Sequence, residues 1–141
     1  MISQLTVFLE NKKGHLAQVC RAISDADINM RALFIADTAD FGIARIFCDT
    51  PEAAAEALCR AGFRAKLTPV LGVQVPDRKG GLAELLELLD SEDVNVEYGY
   101  CFSVNEDFAI DVLKISDDAI EEKLKERGYH IVGDDEIYLL D

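Results

Sequence analysis

Basic residues are scarce in this 141-residue chain: 14 Lys and Arg stand against 27 Asp and Glu, a net charge of −13. The deficit falls on one half. Residues 1–70 hold eight of each sign, whereas residues 71–141 hold six basic and nineteen acidic ones. An acidic half repels a phosphate backbone, which argues against nucleic acid as a partner. It favours solubility, or docking on a basic face of another protein. Histidine is just as scarce, with only His15 and His130 to act as the usual acid–base side chain. No GxSxG, P-loop or HExxH motif is present, and the glycines from Gly72 to Gly81 lack GxGxxG spacing. The carboxylates are scattered over predicted helix exteriors and loops, so no catalytic residue is expected. Cys20, Cys48, Cys59 and Cys101 form no CxxC and no repeat-matched spacing. Three of them sit in patterns that read as packed helix or strand, so buried free thiols are expected rather than disulfides or metal ligands, and no cofactor is expected. No apolar run approaches the roughly 20 residues that span a bilayer. The opening, Met1 to Val7, runs directly into a strand pattern without the regions of a signal peptide. A cytosolic protein with no membrane partner is expected.

What is present is a repeat. A shift of 66 positions lays Leu5, Val7, Gly14, Leu16, Asp27, Asn29, Leu58 and Gly62 on Leu71, Val73, Gly80, Leu82, Asp93, Asn95, Leu124 and Gly128. A shift of 67 serves the middle, where Phe41 and Ile43 meet Phe108 and Ile110. The structural unit is therefore about 70 residues, near the lower limit for a self-sufficient core. Two domains are expected, residues 1–70 and 71–141, without a flexible linker between them.

Each copy reads as strand, helix, strand, strand, helix, strand. Leu5, Val7 and Leu9 alternate with polar or outward residues, as do Leu71, Val73 and Val75. A glycine turn leads into a helix whose apolar stripe is Leu16, Val19, Cys20 and Ile23, or Leu82, Leu85, Leu86 and Leu89. Two strands follow, about residues 28–34 and 41–48, or 94–103 and 108–115, joined by turns that suit hairpins. Thr50 with Pro51 signals the second helix, as does Ser116 with Asp117 and Asp118; Gly62 and Gly128 end it. Last strands are expected near 63–70 and 129–140, the latter interrupted around Gly133. A βαββαβ order predicts an α+β fold of two tandem ferredoxin-like domains, antiparallel sheets with both helices on one face.

These residues resemble a family. Lys-Gly-His-Leu-Ala from Lys13, or Gly-Gly-Leu-Ala from Gly80, opens the first helix; Asp-Ile-Asn-Met from Asp27, or Asp-Val-Asn-Val from Asp93, opens the next strand. In that order, twice, over about residues 3–70 and 71–140, the pattern is similar to the ACT domain. It departs from the family at Lys13 and Lys79, which stand where proline is common before the turn glycine. The resemblance implies regulatory modules that bind amino acids or related metabolites, pair into a continuous eight-stranded sheet, and hold ligand at the pair interface. It carries ligand contacts to Asn11, Gly14, His15, Leu16 and Asn29 in the first copy. In the second, they fall on Asp77, Gly80, Gly81, Leu82 and Asn95.

The location suits an α-amino acid. A helix start offers unpaired N–H groups to a carboxylate, and glycine lets the backbone approach closely. Asn11 or Asp77 carbonyls, or the Asn29 or Asn95 side chain of a neighbouring unit, could receive an ammonium group. Asp77 disfavours an anion, which makes the first copy the better carboxylate site. Blander readings compete: a tight βα turn needs its glycine regardless, His15 lies far from any Cys/His cluster, and Asn29 and Asn95 can satisfy local backbone. The expectation is a non-catalytic homodimeric regulator acting by population shift on a separate enzyme or transporter. An interaction module without ligand, or a regulatory subunit such as that of acetolactate synthase, is the alternative.

Overall fold

Alternation of Leu5, Val7 and Leu9 with Gln4, Thr6 and Phe8 produces β1 (Ile2–Glu10), and all three aliphatic residues are buried. The computed structural model describes residues 1–10, 12–37, 41–103 and 106–138. They divide into two units, Ser3–Thr68, and Pro69–Asp141 together with Met1–Ile2.

In the first unit β1 is followed by α1 (His15–Asp25), β2 (Met30–Asp37), β3 (Phe41–Cys48), α2 (Pro51–Arg60) and the start of β4 (Arg64–Pro76). The antiparallel order is β2-β3-β1-β4, with Leu5 opposite Ile46 and Glu10 opposite Phe41. One sheet face carries the core, where Leu5, Val7, Ala44 and Ile46 pack with Val19 and Ile23 of α1 and Ala54 and Leu58 of α2. Residues alternating with that set include a buried polar group: Gln4 Nε2 donates to Thr6 Oγ1 at 3.0 Å, and the Thr6 and Thr68 hydroxyls lie 2.8 Å apart. Sharing hydrogen bonds is what lets these groups leave water.

The second unit repeats the plan with the rest of β4, α3 (Gly81–Ser91), β5 (Val96–Ser103), β6 (Phe108–Ile115), α4 (Ile120–Glu126) and β7 (His130–Ile131), followed by α5 (Asp134–Tyr138). Its order is β7-β4-β6-β5. Leu71, Val73, Leu85, Leu89, Leu113, Ile120 and Leu124 form its core. The backbone echoes the repeat: φ is 91° at Gly62 and 90° at Gly128, and 61° at Asp27 and 59° at Asp93. Phe63 N–H donates to Leu58 O at 2.9 Å, and Tyr129 N–H to Leu124 O at 3.0 Å, so both helices end on the same glycine motif.

Several details depart from the sequence reading. The expected last strand of the first copy and first strand of the second are one strand, β4, leaving seven strands rather than eight among the described residues. No turn residue separates residues 63–70 from 71–76, so extended backbone simply continues. Of the expected strand over 129–140, residues 139 and 140 lie outside the described residues, and among the others only His130 and Ile131 are strand; α5 then places Asp134, Asp135 and Glu136 in its first turn, where the helix dipole favours them. The apolar stripe of α3 is narrower than four leucines: Leu85 and Leu89 are buried, whereas Leu82 and Leu86 are exposed. Thr50 precedes α2 without making a side-chain cap, and the bond before α4 comes from Asp117, whose Oδ1 accepts from Ala119 N–H at 2.9 Å. All four cysteines are free, but only Cys48 is buried; Cys59 and Cys101 are exposed. Burial pushes the Cys48 thiol up to about 11, which makes it a poor nucleophile.

Asp111 of β6 occupies the repeat position of Ala44 and is buried opposite Val73 and Cys101. Burial raises its pKa. The folded state thus holds this proton more tightly than the unfolded chain, and stability is lost as pH climbs from the ordinary carboxylate range through the raised value. Asp111→Asn is expected to raise the unfolding midpoint at pH 7, with the gain shrinking as pH falls towards 3. Thermal scans of both proteins across that range check it; a gain that persists unchanged at acid pH would contradict the burial account.

Candidate functional site

The β1–α1 and β4–α3 turns are built alike. Gly14 and Gly80 precede the helices at φ 86° and 85°, a left-handed conformation that glycine adopts without strain. His15 N–H donates to Lys12 O at 3.2 Å, and Gly81 N–H to Arg78 O at 3.1 Å. Neither helix has a side-chain cap, and the next N–H groups, of Leu16 and Ala17 or of Leu82 and Ala83, find no protein acceptor among the described residues. Such donors are open to a carboxylate.

The side chains around the two turns differ. In the first, the His15 ring turns back on the strand end, its Nδ1 accepting from Glu10 N–H at 2.9 Å, and lies 5.1 Å from the Phe63 ring. The same Nδ1 lies 3.2 Å from Glu10 O, so the ring is held against both backbone groups of the strand end. Lys12 pairs with Glu10, and this hydrogen-bonded cation holds the Glu10 carboxyl below the usual range. In the second, Arg78 bridges to Glu84 at 2.6 Å, which depresses the Glu84 carboxyl. Asp77 is exposed, its N–H donating to Asp107 O at 2.8 Å. Gly81 is enclosed: a Cβ there would meet the Pro76 carbonyl oxygen at 2.6 Å.

Not all the expected contacts gather at the turns. Asn11 lies outside the described residues. Leu16 packs against the core, while Leu82 is 43% exposed. Asn29 adjoins the end of β3, its N–H directed at Asp49 Oδ1 at 3.4 Å, and Met30 is registered with Cys48. Glu10, by contrast, is registered with Phe41 at the start of β3, so Asn29 stands at the opposite end of the sheet from Gly14. Asn95, just before β5, is placed the same way relative to Gly80, since Val96 pairs with Ile115 and Pro76 with Phe108. Within one unit the asparagines and the turn are therefore separate.

Beside the first turn is a hollow of about 310 Å³ walled by Phe8, His15, Phe41, Phe63 and Arg64. Four of those five escaped the sequence reading. A signal for one existed: an aromatic residue follows the helix-ending glycine in both copies, as Phe63 and Tyr129.

The sequence matches the family described as the ACT domain pair over residues 1–137. This chain belongs to that family. The ACT pair aligns with a solved protein of Bacteroides thetaiotaomicron, BT0572, at 38% identity and a TM-score of 0.90, covering 97% of this chain and 95% of that one. The regulatory subunit of aspartate kinase from Thermus thermophilus, at 17% identity, shares the fold with a TM-score of 0.61 over 79% of this chain and 81% of its own. That from Thermus flavus is similar, at 17% identity and a TM-score of 0.60 over the same shares. No curated protein matches the chain. Among the described residues of the ACT pair, no three His, Cys, Asp or Glu side chains gather to hold a metal, and no helix is long and apolar enough to cross a membrane.

Proposed function

We propose that this ACT pair is a non-catalytic regulatory protein that binds an amino acid or a related small metabolite at the glycine turns, the first above all. The observation that carries the reading is the uncapped start of α1 behind left-handed Gly14, in a chain of the ACT domain pair family. The carboxylate would take the Leu16 and Ala17 N–H groups. Asn29 of a second copy, rather than of the same unit, would meet the ammonium group. Regulatory subunits of aspartate kinases share this fold, which supports a role in controlling a separate enzyme. Lys12 and Lys13 of the first turn are matched by Arg78 and Lys79 in the second, but the second adds Asp77 where the first has Asn11, so the first turn suits an anion better.

Thermal unfolding against each of the twenty amino acids tests this. A ligand at a hundred times its dissociation constant adds about 2.7 kcal/mol of stability. One chemical group is expected to raise the midpoint selectively, and Gly14→Val is expected to abolish that rise. Nothing lies within 4 Å of a Cβ at Gly14, so the variant loses only the roughly 1–2 kcal/mol of a left-handed β-branched residue and still folds. A flat response to all twenty and to a panel of their biosynthetic intermediates would sink the reading.

A second reading has its own observation. Leu33, Phe34 and Ile35 are 43%, 39% and 43% exposed on β2, the edge of the first sheet. An apolar edge strand of this kind is a template for assembly with a second copy. A stable dimer with no ligand response would favour a pure interaction module.

A further inference from the structure

The hollow beside the first turn recurs in the second unit. Positions 8, 10, 15, 41, 62, 63 and 64 line one; their repeat equivalents 74, 76, 81, 108, 128, 129 and 130 line the other. The fold itself makes the cavity, from strand ends and a left-handed glycine, and the side chains decide what it can hold. At about 310 Å³ the first lies at the small end of ordinary ligand sites.

Its walls are flat and apolar. Phe8, Phe41 and Phe63 contribute three rings, and the His15 ring tilts 40° to that of Phe63. Arg64 supplies the charge. Its guanidinium sits 5.6 Å from the Phe8 ring centroid, with the Lys66 ammonium 5.7 Å from the same ring. This cation–π contact with Phe8 leaves the guanidinium charge unneutralised. Neither cation has a carboxylate partner among the described residues, while the one carboxylate on the lining, Glu10, is held by Lys12. The uncommitted charge is therefore positive.

The second hollow has other chemistry. Gln74 replaces Phe8, Gly81 replaces His15, and His130 replaces Arg64. His130 Nε2 is committed to Glu136 Oε2 at 2.5 Å. Arg78 already pairs Glu84 there and Arg127 adds a cation, but the ring walls are reduced to Phe108 and Tyr129, so an aryl group is enclosed on fewer sides.

We propose that the hollow of the first unit is a binding site for an aromatic carboxylate, one per chain, with Arg64 pairing the carboxylate and the rings of Phe63, His15, Phe41 and Phe8 enclosing the aryl group. Leu16 and Ala17 do not line it, so the site is distinct from the helix start invoked above and stands without it.

Titration calorimetry of the full chain with 3-phenylpropionate tests the assignment, beside propionate and 3-phenylpropylamine as probes lacking the ring or the negative charge. Saturable binding of the aryl acid at one site per chain is expected, with both comparators at least about tenfold weaker. Arg64→Gln, on an exposed side chain that leaves the core intact, is expected to weaken the acid about tenfold or more, as loss of a charge-assisted pair does. His130→Gln is expected to change nothing. Equal binding of acid and amine, two equivalent sites, indifference to Arg64→Gln, or no saturable binding up to the solubility of the acid would each overturn the proposal. The Gly14→Val protein separates the two sites: it is expected to lose the amino-acid response yet still bind the aryl acid.

Discussion

Replacing Leu124 by alanine is expected to cost the second unit about 3 kcal/mol, as truncation of a fully enclosed leucine does. Leu124 has no exposed surface and lies in the cluster of Leu71, Val73, Leu85 and Ile120. Its repeat equivalent, Leu58, is as enclosed in the first core, so Leu58→Ala is expected to cost about the same there. Amide hydrogen exchange followed residue by residue separates them. Protection of β4 beyond Pro69, of β6 and of α4 is expected to fall with Leu124→Ala, and protection of β1, β3 and α2 with Leu58→Ala. Uniform loss from either substitution would show that the two cores do not open independently.

Gly81→Ala is expected to destabilise by about 2 kcal/mol although it adds a single methyl group. The new Cβ would sit 2.6 Å from the Pro76 carbonyl oxygen and 3.3 Å from Val75 Cγ1. A backbone oxygen in a strand cannot rotate aside as a side chain can, so the turn itself must move. The reverse change in the first unit, His15→Gly, is expected to cost less, because it relieves no clash and forfeits only a ring contact and the bond to Glu10 N–H. Urea unfolding of the two variants gives the comparison: a midpoint drop clearly larger for Gly81→Ala is expected. Equal drops would mean that the Pro76 strand end is soft. The contrast bears on function, since the enclosed Gly81 leaves its turn no room for a His15-like side chain.

Much of the fold is legible in the chain because its signals are local. Period-two alternation at Leu5, Val7 and Leu9, the spacing of Val19 and Ile23, and glycines at 14, 62, 80 and 128 each state a backbone conformation within a few residues, and the repeat states each one twice. Where the reading slipped, the deciding partner was remote or absent. Leu82 and Leu86 have the spacing of a core stripe, but whether a leucine is covered depends on what packs against α3. Residues 133–138 carry three acids that suit either a loop or a helix start, and burial of Ile137 belongs to the helix.

The candidate site divides in the same manner. Turn chemistry was readable, because a left-handed glycine before a helix start is a local necessity. Strand register places Asn29 at the far end of its own sheet from Gly14, so a part for it at a turn falls to a neighbouring unit, as expected from the sequence. The ring-walled hollow was invisible, because Phe8, Phe41 and Phe63 come from three separate segments that only antiparallel pairing brings to one sheet end. What the chain determined by itself was the repeat, the order of elements, the family and the two glycine turns, all of them short-range properties of backbone and pattern. What tertiary structure alone decided was which side chains share a space: that Arg64 lies over the Phe8 ring without an acid to answer it among the described residues, while His130, at the same place in the second copy, is already answered by Glu136.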